Sequence, residues 1–267
     1  MSVGGQPGEE LVGRQRLIQG DALLVLMEKI PEESVDLVFA DPPYNLGKRG
    51  FKDSWASDDA YFEWCGNWLE ACLEKLKPSG SLYLMNSTQN MPRLDLFVRE
   101  RMQVLSRIVW CYDSSGVQAR KSYGSLYEPI LFAVMDKRNY TFNAEAIMVE
   151  ARTGAKRKLI DYRKNPPAPY KTTKVPGNVW TFPRVRFRMP EYQDHPAQKP
   201  EALLERIILA SSSPGDVVLD PFAGTFTAAA VSERLGRKSI SIEIESKYFG
   251  FGRERVARSV QGLAATA

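Results

Sequence analysis

Cysteine and histidine are scarce in this chain of 267 residues, which holds three cysteines (Cys65, Cys72 and Cys111) and one histidine, His195. The cysteines form no CxxC pair, and one histidine is a poor fourth partner for them on zinc. A structural metal and a disulfide framework are therefore set aside, and a reducing, cytoplasmic setting fits. No apolar run approaches the ~20 residues of a membrane helix, so no membrane association is expected. The opening MSVGGQPGEE has neither a basic start nor an apolar core and reads as an unordered leader, not a signal peptide. No GxGxxG occurs, which removes the usual dinucleotide cradle and argues against a nicotinamide oxidoreductase.

What is present begins with size. A chain of this length buries one sizeable core, and its 43% hydrophobic and 25% charged content is that of a globular protein. The net charge of +4 is unevenly spread. Residues 137–190 carry thirteen basic residues against three acids, a surplus of ten. That stretch is also rich in proline and poor in apolar periodicity, so it reads as loops with short strands facing a polyanion. Tyr162, Tyr170, Trp180 and Phe187 interleave with its charges, a pattern shared by nucleic-acid surfaces and small cores.

Elsewhere strands and helices alternate. LIQ, VDLVFA, SLYLMN, RIVWCYD, PILFAVMD, VVLD and SISIEIE read as seven strands. Asp21 and Ser57 stand where helices begin, and Pro78 with Gly80 is expected to stop the second helix. Seven strands separated by helices predict a doubly wound, mostly parallel α/β sheet. Ligands of such sheets sit beyond the carboxyl ends of strands, where Asp41, Asp220 and Glu243 fall.

Two strand ends carry chemistry. In VVLDPFAGTFT (Val217–Thr227) a buried strand ends at Asp220, turns through Pro221-Phe222-Ala223-Gly224 and enters a helix. Gly224 permits close backbone approach to a ligand, and the helix start offers free N–H groups. Glu243 ends the next strand, 23 positions on, which is the usual placement for gripping ribose hydroxyls. With no pyrophosphate cradle, a nucleoside lacking phosphates fits best. In ADPPYNLG (Ala40–Gly47), Pro42 and Pro43 remove two N–H groups beside the Asp41 carboxylate. The result is a cluster of acceptors suited to an exocyclic amino group, with Tyr44 as a flat face for a base. His195, ahead of a helix start, reads as a capping or packing residue. The run YGSLYEP (Tyr123–Pro129) either lines a base site or packs.

Asp41-Pro42-Pro43-Tyr44 resembles the catalytic motif of the amino-group DNA methyltransferases, and VLDPFAG resembles their S-adenosylmethionine motif. DPPY first and the cofactor motif last, with a basic segment between, is similar to the β arrangement of that family. GDAL (Gly20–Leu23) and HPAQKP (His195–Pro200) look like its further cofactor elements, and the likeness runs from Ile18 to Arg255.

The resemblance implies a Rossmann-like, seven-stranded methyltransferase sheet with a loop-rich basic insert. It implies methyl transfer from S-adenosylmethionine to the N6 amino group of adenine in duplex DNA, by direct displacement after base flipping. Asp41, with the Pro42 carbonyl in the Pro42-Pro43 turn, would bind that amino group, and Tyr44 would stack on the flipped base. Asp220, Pro221, Phe222, Gly224 and Thr225 would line the cofactor, Glu243 would hold its ribose, and Asp21 with Ala22 its adenine end. Gln198 and Lys199 either touch its methionine end or stand on a solvated helix start. Phe226 departs from the family, many of whose members carry Gly there. N4-cytosine transfer, RNA or protein N-methylation, and an inactive DNA-binding protein on this fold stay open as alternatives.

The division that follows is a leader at 1–13, a catalytic half at 14–136 and a target-recognition insert at 137–190. A cofactor-binding half at 191–260 and a flexible tail at 261–267 complete it. Double-stranded DNA is the expected partner; a homodimer is compatible with the sequence, and no obligatory protein partner is evident.

Overall fold

A computed structural model of the protein describes residues 8–112, 121, 123–152 and 157–264. In chain order the elements are β1 (Glu9–Val12), β2 (Gln15–Gln19), α1 (Ala22–Lys29), β3 (Val35–Ala40), α2 (Asp58–Lys75), β4 (Leu76–Met85), α3 (Met91–Arg99), β5 (Gln103–Cys111) and β6 (Tyr127–Val134). A 3-10 turn at Ala144–Ile147 follows, then the short strands β7 (Val149–Glu150), β8 (Ile160–Asp161), β9 (Ala168–Pro169), β10 (Thr173–Lys174) and β11 (Val179–Thr181). The chain closes with α4 (Glu201–Ser211), β12 (Val217–Asp220), α5 (Thr227–Arg234), β13 (Lys238–Glu243) and α6 (Ser246–Ala264).

The main sheet runs β1-β2-β13-β12-β3-β4-β6-β5-β11. Among the described residues it therefore has nine strands, not the expected seven. All seven anticipated strands are in it, and β1 and β11 are added at the two edges. From β2 to β4 the pairing is parallel, whereas β6 lies antiparallel to both of its neighbours, β4 and β5. That reversal brings the start of β6 to the same edge of the sheet as the ends of the parallel strands.

Both faces are covered. Val35, Val38 and Ala40 of β3 pack into the layer formed with α1, α2 and α3, while Leu37 and Phe39 face α4 and α5. A third cluster seats α6 against α5 through Phe226, Ala229, Phe249 and Val256. This two-sided burial explains why β3 shows no polar alternation. Asp21 and Ser57 cap α1 and α2, their side chains accepting from Leu24 N at 3.2 Å and Ala60 N at 3.1 Å.

Three boundaries differ from expectation. Glu9–Val12, placed in the leader, pairs with β2 as an edge strand. Residues 261–264, placed in the tail, continue α6. The second helix ends at Lys75, before Pro78, and the next strand already begins at Leu76. Residues 1–7 of the leader, 153–156 of the insert and 265–267 of the tail lie outside the described residues. Within the insert, two small antiparallel ribbons (β7 with β10, β8 with β9) precede β11, which ties the segment to the main sheet beside β5. Trp180 on β11 is buried, whereas Tyr162 and Phe187 are exposed, so the interleaved aromatics divide between core and surface. Among the described residues no helix is long and apolar enough to cross a membrane.

Candidate active site

One cavity opens at the edge where the parallel strands end. It is bordered by Asp21 and Ala22 after β2, by Asp41 through Tyr44 after β3, and by Asp220 through Thr225 after β12. Glu243 at the end of β13, and Gln198 with Lys199 ahead of α4, complete the wall. Sheet order, not chain order, makes them neighbours: β12 lies between β3 and β13.

On one side stand two buried carboxyls. Asp220 is 3% exposed, and its Oδ1 accepts from Phe222 N at 3.2 Å. Burial drives its carboxyl well above the ordinary range, and the nearby Asp41 and Glu243 add to the shift. Glu243 accepts from Gly224 N at 2.8 Å through Oε2 and from Glu245 N at 2.7 Å through Oε1. Burial raises it to about 7. Gly224 has φ +54, and a Cβ there would stand 3.3 Å from His195 Nε2. The turn needs glycine both for its backbone and for this close approach.

Phe222 packs edge-on to Trp68 at 4.8 Å between ring centroids and against Trp64 at 5.6 Å. These two α2 tryptophans, with Trp55, form an aromatic wall of the cavity that no sequence motif marks.

On the other side is the acid cluster. Lys199 Nζ lies 2.7 Å from Asp41 Oδ2 and 3.4 Å from Glu128 Oε2. The Tyr44 hydroxyl lies 2.5 Å from Asp41 Oδ1 and 3.1 Å from Glu128 Oε2. Burial pushes Tyr44 well above the usual phenol value, and both carboxylates push it the same way, so it remains a donor. Burial alone would lower Lys199, but Asp41 and Glu128 outweigh it and hold the ammonium above its ordinary value. Burial alone would raise Glu128, but Lys199, Lys48 and Arg184 outweigh it and hold the carboxyl below its ordinary range. The carbonyl of Pro43 accepts from Tyr61 Oη at 2.9 Å and that of Tyr44 from Asn90 Nδ2 at 2.7 Å. The Pro42 carbonyl is engaged by neither donor.

Several residues stand differently from the sequence expectation. Lys199 pairs with Asp41, not with a solvated helix start. Gln198 fastens its own loop, donating to Glu191 O at 2.6 Å and accepting from Gln193 N at 2.7 Å. Tyr44 is no open platform: the residue is 5% exposed, with Lys48 Nζ and Lys199 Nζ 5.4 and 5.5 Å from its ring centroid. Phe226 adopts φ 57 and turns its ring into the α5–α6 core, away from the cavity. His195, by contrast, packs between Phe51 and Tyr248 as a packing residue should, and burial lowers it to about 4, so it stays neutral.

Glu128 was not singled out in the YGSLYEP run, because attention to the carboxyl ends of parallel strands passes over the first residues of a reversed one. Asp53 was missed as well. It receives the amides of Asn45 (2.9 Å), Leu46 (3.3 Å) and Lys48 (2.9 Å) and so shapes the loop after DPPY.

The chain is 61% identical over 242 residues to the DNA adenine methyltransferase YhdJ of Escherichia coli (strain K12), a match covering 90% of this chain and 82% of that protein. Its fold is similar to that of the M1.HpyAVI–SAM complex, with TM-score 0.64 and 22% identity over 91% of this chain and 98% of the other. It is also similar to the PvuII cytosine-N4-specific DNA methyltransferase, with TM-score 0.69 and 19% identity over 96% and 94% of the two chains. A family model described as DNA methylase matches residues 35–252. That match takes in the DPPY turn, the basic insert and the Asp220–Glu243 pair together, and the protein belongs to the DNA methylase family.

Proposed function

We propose that the protein transfers a methyl group from S-adenosylmethionine to the N6 amino group of adenine in double-stranded DNA, acting in the cytoplasm. The observation that carries this reading is that Asp41 and the Asp220–Glu243 pair border one cavity although they come from opposite parts of the chain. The 61% identity to a DNA adenine methyltransferase favours adenine over cytosine.

The residues fit the cofactor. Glu243 uses each oxygen for one backbone amide and keeps lone pairs for ribose hydroxyls. The Phe222–Trp64–Trp68 wall suits a flat purine, with Asp21 and Ala22 at that end and Asp220 nearby for a cationic group. Pro221, Gly224 and Thr225 shape the backbone of the turn. When bound, S-adenosylmethionine supplies an electrophilic methyl group on a sulfonium.

The adenine amino group is a poor nucleophile because its lone pair is delocalised into the ring. Asp41 and the Pro42 carbonyl accept its two N–H groups, which favours a pyramidal nitrogen and stabilises its growing positive charge. Pro43 fixes the turn that aims the two acceptors the same way. Such positioning contributes ~7 kcal/mol in good cases.

The base leaves the duplex at a cost of a few kcal/mol. Contact with Tyr44, worth ~1–3 kcal/mol, offsets part of that once Lys48 moves off the ring. A second, polar cavity joins the first through Lys48, His195 and Lys199 and reaches Arg184 and Arg186 of the insert. It is the natural entry for a flipped base, with residues 137–190 as the target-recognition segment gripping phosphates.

The test is direct. Purified protein is incubated with the cofactor and genomic DNA, and the digested nucleosides are analysed by mass spectrometry. N6-methyladenine is expected with wild type and not with Asp41→Ala. N4-methylcytosine, or no methylated base in either sample, overturns the proposal.

A further inference from the structure

The acid cluster poses a difficulty for the reaction just proposed. Asp41 is to accept a hydrogen bond from the amino group, yet each of its oxygens already holds a strong donor. Oδ1 takes the Tyr44 hydroxyl at 2.5 Å and Oδ2 takes the Lys199 ammonium at 2.7 Å. A carboxylate whose charge is shared with an ammonium and a phenol is a weakened acceptor for a third donor.

The geometry offers a way out. Glu128 Oε2 lies within reach of both donors, 3.1 Å from Tyr44 Oη and 3.4 Å from Lys199 Nζ. A phenol has one proton, so Tyr44 serves one carboxylate at a time, and in this structure Asp41 is the nearer. The two acids thus compete for the same two donors. They differ in freedom. Glu128 is 8% exposed and sits on β6 paired with Trp110 of β5, with its other oxygen 3.4 Å from Tyr112 Oη and 3.7 Å from Arg184. Asp41 stands just past the end of β3, at the cavity wall.

Resting on the methyl-transfer reading, we infer that Glu128 is a positioning residue that takes over the Tyr44 hydroxyl and the Lys199 ammonium when Asp41 turns to the substrate amino group. No proton changes residue in this exchange. The phenol and the ammonium keep their protons and shift acceptors, and the total charge of the cluster is unchanged. Glu128 borders the polar entry cavity, and its part in the exchange is to free Asp41 at the moment Asp41 is needed. The cluster as a whole then alternates between a closed arrangement, with Asp41 satisfied internally, and an open one with Asp41 presented to the nitrogen.

The test is a double-mutant cycle on the full chain, measured by single-turnover methyl transfer to a DNA that the wild type methylates. Glu128→Gln keeps the shape but lacks the charge to draw both donors. Its transfer rate is expected to fall by about ten-fold or more, while cofactor and DNA dissociation constants stay within about two-fold. In a Lys199→Met background one of the two donors is gone. The further loss from Glu128→Gln is then expected to shrink to less than about three-fold.

Glu128→Gln at the wild-type rate, or losses that simply multiply, overturns the handover. So does a loss of cofactor affinity alongside rate, which marks Glu128 as a structural prop. A wild type that methylates no adenine sinks the function itself. A wild type that methylates while Glu128→Gln is unimpaired sinks only the role of Glu128.

Discussion

Phe226 and Gly252 occupy one space: a Cβ built on Gly252 would stand 2.6 Å from Phe226 Cγ. Gly252 lies inside α6, where glycine costs about 1 kcal/mol relative to alanine. The ring explains that cost. Phe226, at φ 57, is directed into the α5–α6 core and needs a neighbour without a side chain. Gly252→Ala is therefore expected to destabilise by about 1–3 kcal/mol, because the clash with a fully buried ring exceeds the helix-propensity gain. Thermal and urea denaturation check this. A variant as stable as wild type removes the argument.

Asp53 holds the loop after DPPY by three amides. Asp53→Ala leaves those N–H groups without their acceptor, at about 1–3 kcal/mol. It also releases Lys48, the cation beside Tyr44. A lower melting temperature together with a lower transfer rate is expected, with Asp53→Asn between the two; calorimetry and a tritium-transfer assay report both.

Glu243 gives a pH dependence with a definite sign. Burial raises it from 4.5 to about 7. Ribose hydroxyls donate best to the ionised carboxylate, so cofactor affinity should weaken as pH falls below about 7. Stability of the protein without cofactor moves the other way for this group. A raised carboxyl contributes stability that is fully present below its unfolded value and lost as pH rises through about 7. Fluorescence titration of the cofactor across this window, with Glu243→Gln as the control that flattens it, is the measurement.

Lys164 and Lys171 are exposed on the insert. If that segment grips phosphates, each change to Ala should reduce the slope of log binding constant against log salt by about 1. Filter binding at several salt concentrations decides it, and an unchanged slope would move the DNA elsewhere on the surface.

Much of this architecture was readable one local stretch at a time. Asp21 and Ser57 announced their helices because a cap is a property of four consecutive residues. Asp41, Asp220 and Glu243 stand out because each lies at the end of a buried strand, and in a parallel sheet such ends share an edge. Phe226 was noticed as a departure from a family pattern, but nothing in VVLDPFAGTFT says that its partner is a glycine on α6. Nothing in HPAQKP says that Lys199 pairs with Asp41. Glu128 drew no attention because strand direction is not written in PILFAVMD: β6 alternates in the same way whether it runs with or against its neighbours.

The residues of the acceptor cluster, the turn after β12 and the charge surplus of the insert were thus determined by the sequence itself, since each depends on neighbours along the chain. Only the tertiary structure decided that the Tyr44 hydroxyl would lie 3.1 Å from Glu128, 84 positions away. Sheet order and the reversal of β6 set that meeting, and both arise from how whole layers bury their apolar faces.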